Sequence, residues 1–206
     1  MGNQLKETPG ALSAARIISQ ITNPCFLSIV MLLAITFSKS NRFYKLAEWG
    51  IIVFLFLMLL PVLYVIRRTR FNWKNIKLIY YPMLFLKEHP TDILILGVVC
   101  GLPCWVILNC LNAPSQILNT LFALLITAMV IALVNLRYRA SFHLAGVTVL
   151  IYISVATWGL LILCLVLIVP PTIWAKYRLH DHDIAQMLLG IALGLVITSL
   201  TLYWLG

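Results

Sequence analysis

The sequence predicts an all-α fold: a polytopic transmembrane helical bundle of about six or seven spans, preceded by a short N-terminal segment. Three observations lead to this prediction. Hydrophobic residues make up 62% of the chain and charged residues only 10%. The mean hydropathy is +1.00, and long apolar runs recur along nearly the whole length. Helices need such runs to cross a bilayer core of about 30 Å.

The same composition excludes other classes of protein. A net charge of +9 could suit nucleic-acid binding, but in a membrane protein it reflects cytoplasmic loops and anionic headgroups, so no nucleic acid is expected as a partner. The five cysteines lie in apolar stretches. Cys100 and Cys104 are one helical turn apart and could be a metal pair, but no second pair accompanies them, which favours buried apolar residues. The cysteines therefore predict no metal site, and no cofactor is expected.

The first half of the chain divides into an amphipathic segment and four spans. Residues 1–23 are predicted to form the N-terminal amphipathic segment, because apolar residues recur at helical spacing over residues 11–21, as in a helix at the membrane interface. This start is polar, without the apolar core of a cleavable signal peptide. Residues 24–206 form the predicted transmembrane domain. Its first four spans are expected at residues 24–38, 49–66, 92–111 and 116–136.

The second half holds the remaining spans. The apolar residues 144–175 would extend roughly 48 Å as one helix, which exceeds the bilayer core. We therefore expect two short spans, broken near residues 157–159, the second ending after Pro170 and Pro171. The last span is expected at residues 183–205, where Gly190 and Gly194 lie four apart. That spacing allows close helix packing, which we expect inside the bundle rather than in a dimer.

The predicted spans bring three polar stretches to one face of the membrane. Two spans separate residues 67–91 from Arg139, and two more separate His143 from Lys176. Every lysine and arginine lies on this face except Lys39, Arg42 and Lys45. Positively charged loops stay in the cytoplasm, so we expect a multi-pass protein of the plasma membrane whose motif face is cytoplasmic.

Two short stretches at the edges of apolar segments carry the candidate site. One is residues 139–143 (Arg-Ala-Ser-Phe-His), and the other is residues 176–182 (Lys-Tyr-Arg-Leu-His-Asp-His), followed by Gln186. Charge beside hydrocarbon is costly, so cations and histidines in these positions indicate a function. Basic side chains that converge with two imidazoles suggest phosphate chemistry at a membrane surface.

Each side chain suits one part of that chemistry. His182 and Gln186 are four residues apart at the start of a helix, so the Gln186 carbonyl can bond one ring nitrogen of His182 and aim the other outward as a nucleophile. His143 can protonate a leaving oxygen. The cations that can hold phosphate oxygens are Arg139, Lys176 and Arg178. The other two histidines, His89 and His180, are expected to be structural and surface residues respectively.

These residues resemble the motifs of a known family. Ser141-Phe142-His143 resembles the Ser-x-His motif of the type 2 phosphatidic acid phosphatase superfamily, the lipid phosphatases related to vanadium haloperoxidases. Residues 176–182 resemble its Arg-x5-His motif, and Lys74 through Pro82 resembles its first motif, Lys-x6-Arg-Pro. The resemblance implies that His182 attacks phosphorus to form a phosphohistidine, that His143 protonates the leaving group, and that no metal is needed. The implied phosphate-binding residues are Lys74, Arg139, Ser141 and Lys176.

The chain departs from the family pattern at three positions. The first-motif arginine is Tyr81, and the third-motif arginine is Lys176, which keeps the charge but loses the bidentate fork. The usual aspartate four residues after the nucleophile is Gln186, a change that occurs in polyprenyl-type diphosphatases of the superfamily.

These departures shape the expected function. The resemblance implies a metal-independent membrane lipid phosphatase with a polyprenyl diphosphate as favoured substrate. A catalytically degenerate relative that binds anionic lipid or a membrane partner is the alternative. A small transporter is less favoured, because the ionisable residues lie at span edges rather than near the midplane.

Overall fold

The computed structural model describes residues 9–39, 43–68 and 89–205. Within these ranges 88% of the residues are helical and none forms a strand, so the fold is all-α as predicted. Two π-helical turns, Leu55–Leu59 and Gly97–Gly101, and a 3-10 segment, Leu160–Ile168, join consecutive α-helices. The α-helices are α1 (Pro9–Ile21), α2 (Pro24–Lys39), α3 (Phe43–Phe54), α4 (Leu60–Arg68), α5 (Pro90–Leu96), α6 (Leu102–Cys110), α7 (Ser115–Val134), α8 (Phe142–Trp158), α9 (Val169–Arg178) and α10 (Ile184–Leu205).

Five helical stretches among the described residues are long and apolar enough to cross a membrane. They are Ala47–Arg68, Pro90–Cys110, Ser115–Val134, Leu160–Arg178 and Ile184–Leu205. By length and composition they indicate a helical membrane protein. Two further helices are apolar but shorter: α8 has 17 residues and α2 has 16. The expectation of six or seven spans depends on these two.

The long apolar stretch after His143 divides at Gly159. This residue ends α8 with φ 89° and ψ 178°, in a region that L side chains rarely adopt, so the break falls within the predicted residues 157–159. The helical segment after this break continues through Pro170 and Pro171 and ends at Arg178. Both prolines lie in the first turn of α9, where an α-helix has no internal partner for the backbone N–H and proline is tolerated.

Two of the described cysteines are buried, and two are exposed. Cys100 and Cys104 are buried, as expected for small apolar side chains in a helical core. Cys110 and Cys164 are exposed on the surface of the bundle. Both lie in stretches apolar enough to span the bilayer. Hydropathy therefore placed them in apolar segments correctly, but it does not separate a core-facing position from an outward-facing one.

Close packing between α8 and α10 aligns the starts of these two helices. A Cβ atom at Gly190 would lie only 2.5 Å from the carbonyl oxygen of Ser141, and one at Gly194 would lie 2.8 Å from that of Ala145. Only glycine fits at such distances. The face formed by Gly190 and Gly194 therefore packs inside the bundle, as the spacing predicted, and it brings the two polar stretches of the sequence side by side.

The N-terminal helix α1 is helical as predicted but packs against protein as well. One face of α1 lies against α9, where Ala15 and Ser19 are buried, while Ile17 and Ile21 on the opposite face are more than half exposed. α1 thus has one side that is covered by the bundle and an opposite, apolar side that is exposed on the surface. Helical spacing alone did not reveal which of them contacts α9.

Candidate functional site

The two polar stretches meet at one end of the bundle. The backbone N–H of Ser141 donates a hydrogen bond to the carbonyl oxygen of Gln186 over 3.1 Å, which ties the turn before α8 to the first turn of α10. An open cavity of about 180 Å³ lies at this junction. Among the described residues, those that line it are Arg139, Tyr177, His180, Asp181, His182, Asp183 and Gln186.

The His182–Gln186 pair forms as the spacing predicted. His182 Nδ1 lies 3.0 Å from Gln186 Oε1. An amide oxygen only accepts hydrogen bonds, so Nδ1 is the protonated nitrogen and Nε2 is the basic one in the neutral ring. His182 precedes α10, which begins at Ile184, and Gln186 lies in the first turn of that helix. The pair therefore fixes the ring of His182 against a rigid element.

The turn between α9 and α10 has a defined backbone conformation. The N–H of His180 donates to the carbonyl of Tyr177 over 3.1 Å, and that of Asp181 donates to the carbonyl of Lys176 over 3.2 Å. This pair of bonds is the Schellman motif that ends many helices. Its left-handed position is held by His180, with φ 51°, where glycine is usual and histidine is tolerated. His180 was predicted only to be a surface residue, and this backbone role was not predicted.

Lys176 is engaged by a carboxylate rather than open to the cavity. Its Nζ lies 3.0 Å from Asp181 Oδ2, and its side chain is only 12% exposed. Asp181 lines the cavity, whereas Lys176 does not. A phosphate that binds Lys176 must therefore compete with Asp181. This partner was not predicted, although the sequence has a carboxylate five residues after the lysine.

Ser141 and His143 are buried behind the cavity. Ser141 is fully buried, and its Oγ accepts a bond of 3.4 Å from the N–H of Leu144, so its hydroxyl caps α8. His143 is 6% exposed. The charges of Lys176 and Asp181 and the ring of His182 all act on the ring of His143, so this imidazole lies near the third-motif stretch. Neither Ser141 nor His143 is a lining residue.

The turn that carries Arg139 is held by a residue that the sequence analysis did not consider. Asn135 Oδ1 accepts from the N–H of Ala140 over 2.6 Å, and its Nδ2 donates to the carbonyl of Ala140 over 3.2 Å. This amide clamps the backbone next to Arg139, which is exposed and lines the cavity. The only sequence signal was an amide side chain directly after an apolar helix, a position where such residues bond the local backbone.

The charge on the cavity wall is mixed. Arg139 supplies a cation, while Asp181 and Asp183 supply carboxylates, of which Asp181 is paired with Lys176. Asp183 directly follows His182 and would point about 100° away from it on a helix, but it precedes α10 and lines the cavity. Among the described residues, no group of three or more His, Cys, Asp or Glu side chains is arranged to hold a metal ion.

The remaining predicted site residues are not part of the cavity wall. Arg178 lies in the last turn of α9 and does not line the cavity. Lys74 and Tyr81, which form the first motif of the resemblance, lie outside the described residues. The structure thus brings Arg139, His182 and Gln186 to one cavity. Ser141 and His143 are buried close by, and Lys176 is paired with Asp181.

Comparison with known proteins adds no assignment. No protein-family model matches the chain, and it matches no curated protein and no solved structure. The likeness to type 2 phosphatidic acid phosphatases therefore depends on the short motifs quoted above. The five long apolar helices and the contacts at the cavity stand independently of that likeness.

Proposed function

We propose that this protein is an integral-membrane lipid phosphatase that hydrolyses a phosphate or diphosphate lipid, with a polyprenyl diphosphate as favoured substrate. The observation that carries the proposal is the His182–Gln186 pair, joined by a bond of 3.0 Å at a polar cavity that Arg139 also lines. The cavity lies at one end of an apolar bundle. A lipid phosphate suits this arrangement, because its headgroup needs a polar site such as the cavity while its tail stays in the hydrocarbon of the membrane.

In the proposed reaction the Nε2 of His182 attacks phosphorus. The bond between phosphorus and the leaving oxygen breaks, its electron pair stays on that oxygen, and the oxygen takes up a proton. Water then attacks the phosphohistidine, which releases inorganic phosphate and restores the imidazole. A diphosphate lipid would yield the lipid monophosphate. Gln186 holds Nδ1–H in place throughout, and Arg139 offsets charge on the phosphoryl oxygens.

The protonation step is assigned to His143 by the resemblance. His143 is buried near Lys176 and Asp181, so the substrate must reach it past the Lys176–Asp181 ion pair. On this proposal the incoming phosphate replaces Asp181 as the partner of Lys176. The lysine then contributes its charge to the transition state, while the carboxylate of Asp181 turns to solvent.

The proposal also includes the family fold and the setting in the membrane. The short helices α2 and α8 are taken as additional spans, which gives the six or seven expected of a bundle like that of the phosphatidic acid phosphatases. The excess of lysine and arginine on the face of the motifs supports a cavity on the cytoplasmic side of the plasma membrane. A single cysteine introduced at Tyr138, which is 71% exposed beside the cavity, should react with an impermeant maleimide only from the cytoplasmic side.

The decisive experiment replaces His182 with alanine. Purified protein in detergent is incubated with a polyprenyl diphosphate, and released phosphate is measured. We expect His182→Ala to lower turnover by roughly a thousandfold or more, as removal of a covalent nucleophile does. His89→Ala is the matched control, because His89 lies at the start of α5 and does not line the cavity. Acid-labile phosphate on the wild type but not on His182→Ala would identify the intermediate. Unchanged turnover in His182→Ala would reject the mechanism.

A non-enzymatic function is the second candidate, and two observations favour it. Lys176 is already neutralised by Asp181, and the ring of His143 is buried. A protein in this state would bind the headgroup of an anionic lipid through Arg139 without reaching the general acid. Wild-type protein that binds vesicles containing a polyprenyl diphosphate but never releases phosphate would establish this function instead.

A further inference from the structure

One contact of His143 comes from a part of the chain that neither motif includes. Its Nε2 lies 3.0 Å from the Oγ1 of Thr22, although the two residues are 121 positions apart. Thr22 directly follows α1, and both side chains are buried, each 6% exposed. A buried contact over such a sequence distance forms only when α1 is docked on the bundle.

The hydrogen bonds of Thr22 define which nitrogen of His143 carries the proton. The Thr22 hydroxyl donates its one proton to the carbonyl of Ile18 over 2.8 Å. With its proton directed to Ile18, the hydroxyl oxygen accepts from His143, and the Nε2 of His143 is then the donor. In the neutral ring, Nδ1 is then the basic nitrogen. This tautomer is opposite to that of His182, whose Nδ1 donates to Gln186.

The docking of α1 holds Thr22 at the right place. α1 packs on α9, with Ala15 fully buried and Ser19 7% exposed. The same helix α9 carries Lys176, whose charge acts on the ring of His143. The imidazole is therefore enclosed by α1 and by the third-motif stretch, and its environment depends on both.

We propose that Thr22 is a positioning residue for His143: its hydroxyl fixes the ring orientation and the Nε2–H tautomer, so that Nδ1 is the nitrogen that takes up a proton and gives it to the leaving oxygen. α1 is then part of the site rather than only a membrane-surface helix. The catalytic consequence rests on the proposed phosphatase function, whereas the tautomer does not.

The test compares three substitutions on or next to α1. Thr22→Val removes the hydroxyl with little change of shape, and Thr22→Ser keeps the hydroxyl. Ser13→Ala removes a hydroxyl from the exposed side of α1 and serves as the control. Thermal unfolding of each variant shows that it is folded.

The first measurement is the tautomer itself. The chain has four histidines, so the ¹⁵N spectrum of histidine-labelled protein in detergent is simple, and His143→Gln identifies the His143 signals. The wild type, Thr22→Ser and Ser13→Ala should show the Nε2–H form of His143, while Thr22→Val should show a mixture of tautomers. A Thr22→Val spectrum identical to that of the wild type would overturn the inference.

The second measurement is turnover. Loss of one neutral hydrogen bond to His143 should lower kcat for phosphate release about fivefold to tenfold in Thr22→Val with KM nearly unchanged, and Thr22→Ser should restore it. A tautomer shift without any loss of kcat, in a protein whose turnover depends on His182, would overturn the catalytic role of Thr22. If wild-type protein releases no phosphate at all, the proposed function fails, and the nitrogen spectra alone still decide whether Thr22 sets the tautomer.

Discussion

The close approach of α10 to α8 makes a strong prediction for Gly190→Ala. The added methyl carbon would lie 2.5 Å from the carbonyl oxygen of Ser141 and 3.3 Å from both its carbonyl carbon and its Cβ, whereas ordinary contact begins at 3.4 Å. The nearest obstacle is backbone, so no side-chain rotation can relieve it. The two helices must separate by about 1 Å, which also stretches the 3.1 Å bond between Ser141 N–H and the Gln186 carbonyl beyond hydrogen-bonding distance.

The magnitude follows from these two effects. Overpacking of a tight interface costs about 1–3 kcal/mol, and the lost hydrogen bond adds about 1 kcal/mol. We therefore expect Gly190→Ala to lower the free energy of unfolding by about 2–4 kcal/mol, measured by titration with a denaturing detergent in mixed micelles. The cavity should also lose its shape, because Gln186 moves away from Arg139, so phosphate release should fall as well.

Gly50→Ala is the matched control. A Cβ atom at Gly50 would meet only a side-chain methyl of Leu33, at 3.3 Å, and that side chain can move. Alanine also has the higher helix propensity, so the change in stability should stay within about 1 kcal/mol of zero. If Gly190→Ala were as stable as Gly50→Ala, the described packing of α8 against α10 would be wrong.

Three further predictions test the cavity, the turn before α8 and a buried carboxylate elsewhere in the bundle. Asp181→Asn removes the partner of Lys176, so inorganic phosphate should inhibit turnover at a concentration about three- to tenfold lower than in the wild type; an unchanged inhibition constant would show that the ion pair does not compete with phosphate. Asn135→Ala removes two bonds to the turn before α8, and amide hydrogen exchange in that turn should accelerate at least about tenfold, whereas unchanged exchange would contradict the clamp. Tyr64→Phe removes the 3.0 Å bond to Asp92, a carboxylate only 2% exposed, and should lower the free energy of unfolding by about 1–3 kcal/mol; a neutral result would mean that another group satisfies this carboxylate.

The parts that the sequence predicted correctly depend on local periodicity. Apolar runs reveal long helices because each span must be apolar over its whole length. The four-residue spacing of His182 and Gln186 and that of Gly190 and Gly194 put each pair on a common face whatever the rest of the chain does. The break near Gly159 was visible because one helix of that length could not fit the bilayer.

The parts that it missed depend on contacts between distant segments. Nothing local indicates that Thr22 would meet His143, because the contact exists only after α1 docks on α9. The burial of Ser141 follows likewise from α10 lying close to it. The Lys176–Asp181 pair is a different case, because both residues lie within the third-motif stretch. The family motif assigns a phosphate-binding role to the residue at Lys176 and no role to Asp181, so the ion pair was not predicted.

The left-handed turn at His180 offers a way to separate backbone shape from ring chemistry. Alanine at this position would remove the imidazole and would also strain the backbone, because a φ of 51° is unfavourable for an L residue. Glycine adopts that angle freely. His180→Gly should thus preserve the backbone conformation that leads into α10 and remove only the imidazole ring. A change in activity could then be attributed to the ring.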